Sequence, residues 1–253
     1  MKTLHTCIVS WRGRHADASR IAREVGPHSD RTTIVYSDPD PDTGPDNDHE
    51  CVRRPDHLFF GDKFRACLDG FSMDALLLIH ADCECDDWAG LVRSCRHALA
   101  SRSSIGVWAP LIDYTGFDLP RTRVADLAHS TLSIVAHTDA IVLGMTRAVA
   151  ERLQRADYER NLYGWGIGWM AVCHAYAHQM VAVVDRAIRV RHPRPRGYPS
   201  AEAGRQRDEF LQQLTAPEQI QRLLLQSHMQ RMDLALSARN PPLRPPAEPP
   251  PRH

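Results

Sequence analysis

Lysine is nearly absent from this chain. Of the 31 basic residues only Lys2 and Lys63 are lysines, and the rest are arginines. A GC-rich coding sequence is the simpler cause; guanidinium recognition of phosphate is the sharper one. No excess of charge exists either, because 31 acidic residues balance the 31 basic ones. A globally basic nucleic-acid binder is therefore not indicated, although a local patch stays open. No stretch approaches the ~20 apolar residues that span a bilayer. The opening Met1-Lys2-Thr3-Leu4-His5-Thr6 lacks the apolar core of a signal peptide. The seven cysteines are an odd number, and Cys83-x-Cys85 is tighter than the usual zinc-module gap and has no second pair. A cytoplasmic, reduced protein without a membrane span is expected.

What the chain does have is alternation. Its 253 residues suffice for one substantial core. Short apolar bursts at Thr6–Ser10, Thr32–Tyr36, 75–79 and Gly106–Pro110 read as strands. Between them, helical spacing runs over Asp17–Val25, Gly61–Asp69 and Trp88–Ala100. Residues 39–56, rich in Pro, Asp and Asn, read as a flexible loop. Strand, helix, strand, helix is a Rossmann-like pattern, so the fold class is α/β with helices flanking the sheet. The second half is less regular: a strand over Ser133–Asp139, helices over Thr146–Gln154 and Tyr163–Gln179, a strand over Met180–Val184, then helices over Ser200–Gln213 and from Pro217 to about Ser237. One domain over residues 1–238 and a Pro-rich, disordered tail over 239–253 follow.

One run carries chemistry. Leu76-Leu77-Leu78-Ile79 ends in His80-Ala81-Asp82-Cys83-Glu84-Cys85-Asp86-Asp87. Four large aliphatics in a row suit a strand buried on both faces of a parallel sheet. The polar residues where it ends fall in the crevice where open α/β sheets bind ligands. His80 and Asp82 are two apart, so an extended backbone projects both to one side. Nitrogen and carboxylate oxygen together suit a divalent cation and the phosphates it carries. The plainer readings are a His80 that only hydrogen-bonds a neighbouring polar group and an Asp82 that merely caps the next helix, as Asp86 or Asp87 does before Trp88.

Several segments, in order, resemble a GT-A glycosyltransferase of the inverting, family-2-like kind. Ile8-Val9-Ser10-Trp11 resembles the donor-binding first strand, Asp38 the acid that contacts the nucleobase, and Lys63 a donor contact before the metal strand. His80-Ala81-Asp82 stands in place of the Asp-x-Asp metal motif. Tyr163-Gly164-Trp165-Gly166-Ile167-Gly168-Trp169 resembles the Gly-Trp-Gly-x-Asp signature on the acceptor side, and His192 the late histidine that completes the metal site. The resemblance covers about residues 4–215. It implies a GT-A-like mixed sheet and transfer of a sugar from a nucleotide-sugar to an acceptor hydroxyl. The metal would be Mn²⁺ or Mg²⁺ on Asp82, His192 and His80, with histidine nitrogen favouring Mn²⁺. Ser10, Trp11, Asp38, Lys63 and Trp165 would face the donor. Of five arginines in residues 186–196, Arg191 and Arg194 among them, one or two would meet the diphosphate, while the plainer reading of the rest is a solvated face.

The signature departs at Gly168, where the resembling enzymes carry the acid that deprotonates the acceptor. Another acid, a reaction without that base, or an inactive chain would each account for it. Asp139 is the preferred substitute and Asp113 the second. The alternative function is a nucleotide-sugar-binding module without catalysis; nucleotidyl transfer is a third reading, which lacks its Gly-rich opening signature. Glycan, protein, lipid and modified DNA base all stay open as acceptor. Trp165 and Trp169, four apart, read as core packing on a helix, although Gly164 and Gly166 on either side of Trp165 expose backbone and point to close approach of a ligand. Cys7, Cys67 and Cys173 fall on apolar faces and read as small core residues. His174 and His178 have chelating spacing but lack a metalloprotease glutamate, and read as core or surface histidines.

Overall fold

The structure is a computed structural model, and it describes residues 2–45, 48–113, 115–192 and 199–239. Arg194 and the proline-rich tail from residue 240 onward lie outside the described residues.

The first half is β1 (Leu4–Ser10), α1 (His15–Val25), β2 (Arg31–Tyr36), β3 (Glu50–Arg53), α2 (Phe60–Asp69), β4 (Ala75–His80), β5 (Glu84–Cys85), α3 (Trp88–Ser101) and β6 (Ile105–Ile112). Then come α4 (Leu119–Thr122), β7 (Arg123–Asp126), β8 (Leu132–Val135), β9 (Val142–Thr146), α5 (Arg147–Gln154), α6 (Ile167–Ala177), β10 (Val181–Arg191), α7 (Ser200–Phe210) and α8 (Ala216–Arg239). The strands form one mixed sheet in the order β3-β2-β1-β4-β9-β6-β10-β8-β7, with β5 paired to β10. β3, β2, β1 and β4 run parallel, whereas β9 lies antiparallel between β4 and β6.

Burial on both faces follows from the two-residue side-chain period. On β4, Leu76 and Leu78 enter one core layer with Phe64 of α2 and Met170 of α6. Leu77 and Ile79 enter the other, with Ile21 of α1 and Leu91 of α3. Cys7, Cys67 and Cys173 are buried in the first layer. The Asp87 side chain caps α3 by accepting from the Gly90 amide at 2.6 Å.

Four expectations change. β4 has a parallel neighbour on one side only, since β9 on the other is antiparallel. The 39–56 stretch contains an edge strand, β3, because Glu50 accepts from Arg31 Nε at 2.8 Å and from Thr33 Oγ1 at 3.1 Å. The strand placed at 133–139 stops at Val135, and the apolar run beyond it is β9. Trp165 sits not on a helix but in the turn before α6, where Gly164 and Gly166 have φ of 71° and 96°. Such angles favour glycine.

Candidate metal centre and cleft

The carboxyl end of β4 delivers His80 and, just past it, Asp82. The third member comes from far downstream. The antiparallel β5–β10 pairing sets Arg191 opposite Glu84 and so carries His192 back beside Asp82. Asp113 Oδ1 accepts the His192 backbone N–H at 3.1 Å and fixes that turn. His192 Nε2 then lies 3.5 Å from Asp82 Oδ2. One ligand atom each from His80, Asp82 and His192 falls within 4.8 Å of the others.

Unpartnered buried atoms occur in this cluster, as at His137 Nδ1 in the same cleft. In the cluster, His80 Nε2, Asp82 Oδ1 and His192 Nδ1 have no hydrogen-bond partner. An unpartnered buried polar atom carries a cost, and on three neighbouring ligand-type side chains it leaves lone pairs free for a cation. Burial pushes the His80 imidazole down to about 4, flanked as it is by the rings of Phe60 at 4.5 Å and Trp11 at 6.0 Å. A neutral imidazole has a nitrogen lone pair to give. Burial alone would raise Asp82, but His192 and His80 outweigh it and hold the carboxyl below its ordinary value. Two imidazoles and one carboxylate with unspent lone pairs fit a divalent transition-metal cation such as Mn²⁺, and fit the oxygen-seeking Mg²⁺ less well.

The cluster opens on a cleft of about 540 Å³, well within the size of ligand sites. Trp11, Lys63, Asp139 and Trp165 line it together with the three cluster residues. Lys63 is buried, donates from Nζ to the carbonyls of Leu58 at 3.0 Å and Phe59 at 3.3 Å, and is pushed down by burial to about 8. The remaining sequence candidates lie elsewhere. Ser10 and Asp38 are buried behind the cleft, joined through His15: Ser10 Oγ is 2.9 Å from His15 Nδ1, and His15 Nε2 is 3.0 Å from Asp38 Oδ2. Asp113 is exposed and spent on His192. Arg191 does not line the cleft; its guanidinium donates to Asp86 at 2.8 Å and Glu84 at 3.3 Å.

The opposite wall escaped the sequence. Trp169 belongs to the buried core, as the sequence reading has it, but it also stacks on His137 with ring centres 4.0 Å apart and 12° between planes, and both line the cleft. Phe117 meets His137 edge-on at 4.1 Å, and burial pushes His137 down to about 3. Phe59 and Tyr163, 5.1 Å apart, complete an aromatic rim. Three of the five tryptophans face this one cleft. The only advance signal was the glycine pair that brackets Trp165.

No protein-family profile matches the chain, and no curated protein does. Solved structures do. GalNAc-T7, solved with UDP, GalNAc and Mn²⁺, superposes with a TM-score of 0.58 at 14% identity, covering 95% of this chain and 58% of that one. The Pyrobaculum calidifontis mannosyltransferase PcManGT, in complex with GDP-Man and Mn²⁺, gives 0.54 at 11% identity, over 96% and 76%. The chain has the GT-A glycosyltransferase fold. Glucosyl-3-phosphoglycerate synthase from Mycobacterium tuberculosis, with Mn²⁺, UDP and phosphoglyceric acid, shares this GT-A fold at a TM-score of 0.51 and 12% identity, over 86% and 78%. The chain thus spans a little over half the length of GalNAc-T7 and about three quarters of the other two. Among the described residues no helix is long and apolar enough to cross a membrane.

Proposed function

We propose that the chain is a metal-dependent glycosyltransferase that moves a hexosyl or pentosyl group from a nucleotide-sugar to an acceptor hydroxyl. The observation that carries this reading is the convergence of His80, Asp82 and His192, each with an unpartnered buried atom, at strand ends of a GT-A fold, opening on a ligand-sized cleft. Asp82, His192 and His80 would hold Mn²⁺ or Mg²⁺. Such a cation, when bound, stabilises the negative charge that develops on a departing nucleoside diphosphate. Lys63 adds a buried positive charge beside the cluster. Arg191, held by Glu84 and Asp86, contributes to the diphosphate only if it leaves them. Asp38, hydrogen-bonded to His15 and absent from the cleft lining, would reach the nucleoside only if that bond opened. The flat faces of Trp165, Tyr163 and Phe59 suit the apolar face of a sugar or another ring.

Neighbours solved with UDP or GDP-Man and Mn²⁺ support the choice of co-substrate and metal. The glycine at position 168 favours a second reading, a module that binds the donor without turning it over. A thermal-shift panel of UDP-, GDP-, dTDP- and CMP-sugars, with and without Mn²⁺, tests what both share. Ligand at ~100 times its dissociation constant adds about 2.7 kcal/mol, or several degrees in a domain of this size. A shift that requires both one nucleotide and the metal supports donor binding; no shift with any donor sinks both readings. Nucleotide release then separates enzyme from module.

A further inference from the structure

Position 168 is closed to a side chain. A Cβ built there would lie 2.9 Å from the Thr138 carbonyl oxygen and 3.3 Å from His137 Cε1, with the Ala140 amide nitrogen at 3.8 Å. The obstruction is largely backbone, the loop at 137–140, and it cannot swing aside as a flexible side chain would. That loop is pinned: His137 and Thr138 are buried, and His137 is held between the rings of Trp169 and Phe117. The glycine and the loop are therefore one arrangement. The volume that an acid on α6 would need is filled by chain running past α6.

The same loop carries an acid of its own. Asp139 lines the cleft, and its carboxylate is oriented twice: Oδ2 accepts from Thr115 Oγ1 at 3.0 Å, and Oδ1 from the Ala140 amide at 2.9 Å. Each carboxylate oxygen has a second lone pair, so both can accept again. Among the described residues lining the cleft, only Asp82 and Asp139 are carboxylates, and Asp82 belongs to the metal cluster. Asp113 is outside the cleft lining and spent on the His192 amide. Asp139 also lies close enough to His80 to interact with it electrostatically.

We propose that Asp139 is the general base of the transfer, moved from the helix to the loop that occupies the space above Gly168. The assignment rests on the glycosyltransferase reading. The acceptor oxygen forms a bond to the anomeric carbon as the bond from that carbon to the phosphate oxygen breaks. The bonding pair leaves with the nucleoside diphosphate, and the acceptor proton passes to the Asp139 carboxylate. Such a single displacement inverts the anomeric configuration. Thr115 acts as a positioning residue that aims the carboxylate.

The test compares wild type with Asp139→Asn, a substitution of nearly the same shape, in Mn²⁺ with the donor that shifts the melting point. Water serves as acceptor, and nucleotide release and the configuration of the freed sugar are followed. The expected result is a loss of about 10²–10⁴ in kcat for nucleotide release with the donor-induced thermal shift retained. The wild-type product is inverted. Thr115→Val lowers kcat by on the order of 10-fold and leaves the donor KM unchanged, a split that a merely structural hydroxyl would not give. Unchanged release by Asp139→Asn, loss of its donor shift, or a retained configuration would each overturn the assignment while leaving the glycosyltransferase reading in place. A wild-type protein that shifts with no donor would remove that reading, and this assignment with it.

Discussion

Two of the buried polar clusters among the described residues are built on opposite principles. Behind α6, Glu218 at the start of α8 accepts from Arg152 Nε at 2.8 Å and Nη2 at 2.9 Å, and from the Thr215 amide at 2.8 Å; His174 Nδ1 lies 2.9 Å away. Arg152 also donates to the Gln213 carbonyl at 2.7 Å. At the cleft, His80, Asp82 and His192 leave three buried atoms unpartnered. The first cluster has its hydrogen bonds made from within the chain and ties α5, α6 and α8 together. The second is left incomplete, as a site must be if something else is to complete it. The contrast also accounts for His174, which is buried in a hydrogen bond with Glu218.

The sharpest way to break the comparison is Glu218→Ala. It strands a buried guanidinium, and loss of one partner of a buried pair costs about 3–5 kcal/mol. A melting point lower by roughly 10 °C is expected. If Asp82→Ala destabilised the unliganded protein as much, the two clusters would be alike after all. Instead its unliganded stability should move by less than about 1 kcal/mol, while the Mn²⁺-dependent donor shift, about 2.7 kcal/mol at saturating ligand, disappears. Gly168→Ala presses a methyl against the Thr138 carbonyl and should cost about 1–3 kcal/mol by thermal melting. A tolerated alanine would show that the loop yields.

Acid sharpens the contrast further. Burial alone would raise Glu218, but His174, Arg152 and the Thr215 amide outweigh it and hold its pKa well below the ordinary range. The folded state then binds that proton more weakly than the unfolded one. This contribution is present above the ordinary glutamate value of about 4.3 and is lost as pH falls below it. The melting-point gap between wild type and Glu218→Gln should be full near pH 6 and narrow steadily below about pH 4. A gap that ignored pH would mean the glutamate is not held as an anion. The smallest effect belongs to Arg191→Ala: its partners Glu84 and Asp86 are exposed, so stability should change by less than about 1 kcal/mol.

The first half of the fold was legible because its signals are local. Apolar runs and helical spacing located β1, α1, β2, α2, β4 and α3 to within two residues, and the same local pattern put His80 and Asp82 at a strand end. β9 was missed because its apolar residues run straight into α5 without a turn between them. The aromatic wall was missed for another reason. Trp169, His137 and Phe117 stand on three separate segments, and nothing in their own neighbourhoods tells a ring in a core from a ring in a cleft.

By itself the sequence determined the α/β alternation, a central strand buried on both faces, and a nitrogen and a carboxylate at its end, since backbone periodicity and burial act between residues near in the chain. His192 was named only through the family resemblance, and the tertiary structure joined it to them through a two-residue strand pairing. The tertiary structure alone decided that Arg191 would turn to surface acids, and that the 137–140 loop would fill the space over Gly168 and bring Asp139 to the cleft. Those outcomes depend on which distant segments share a volume, and packing sets that only when the whole sheet has closed.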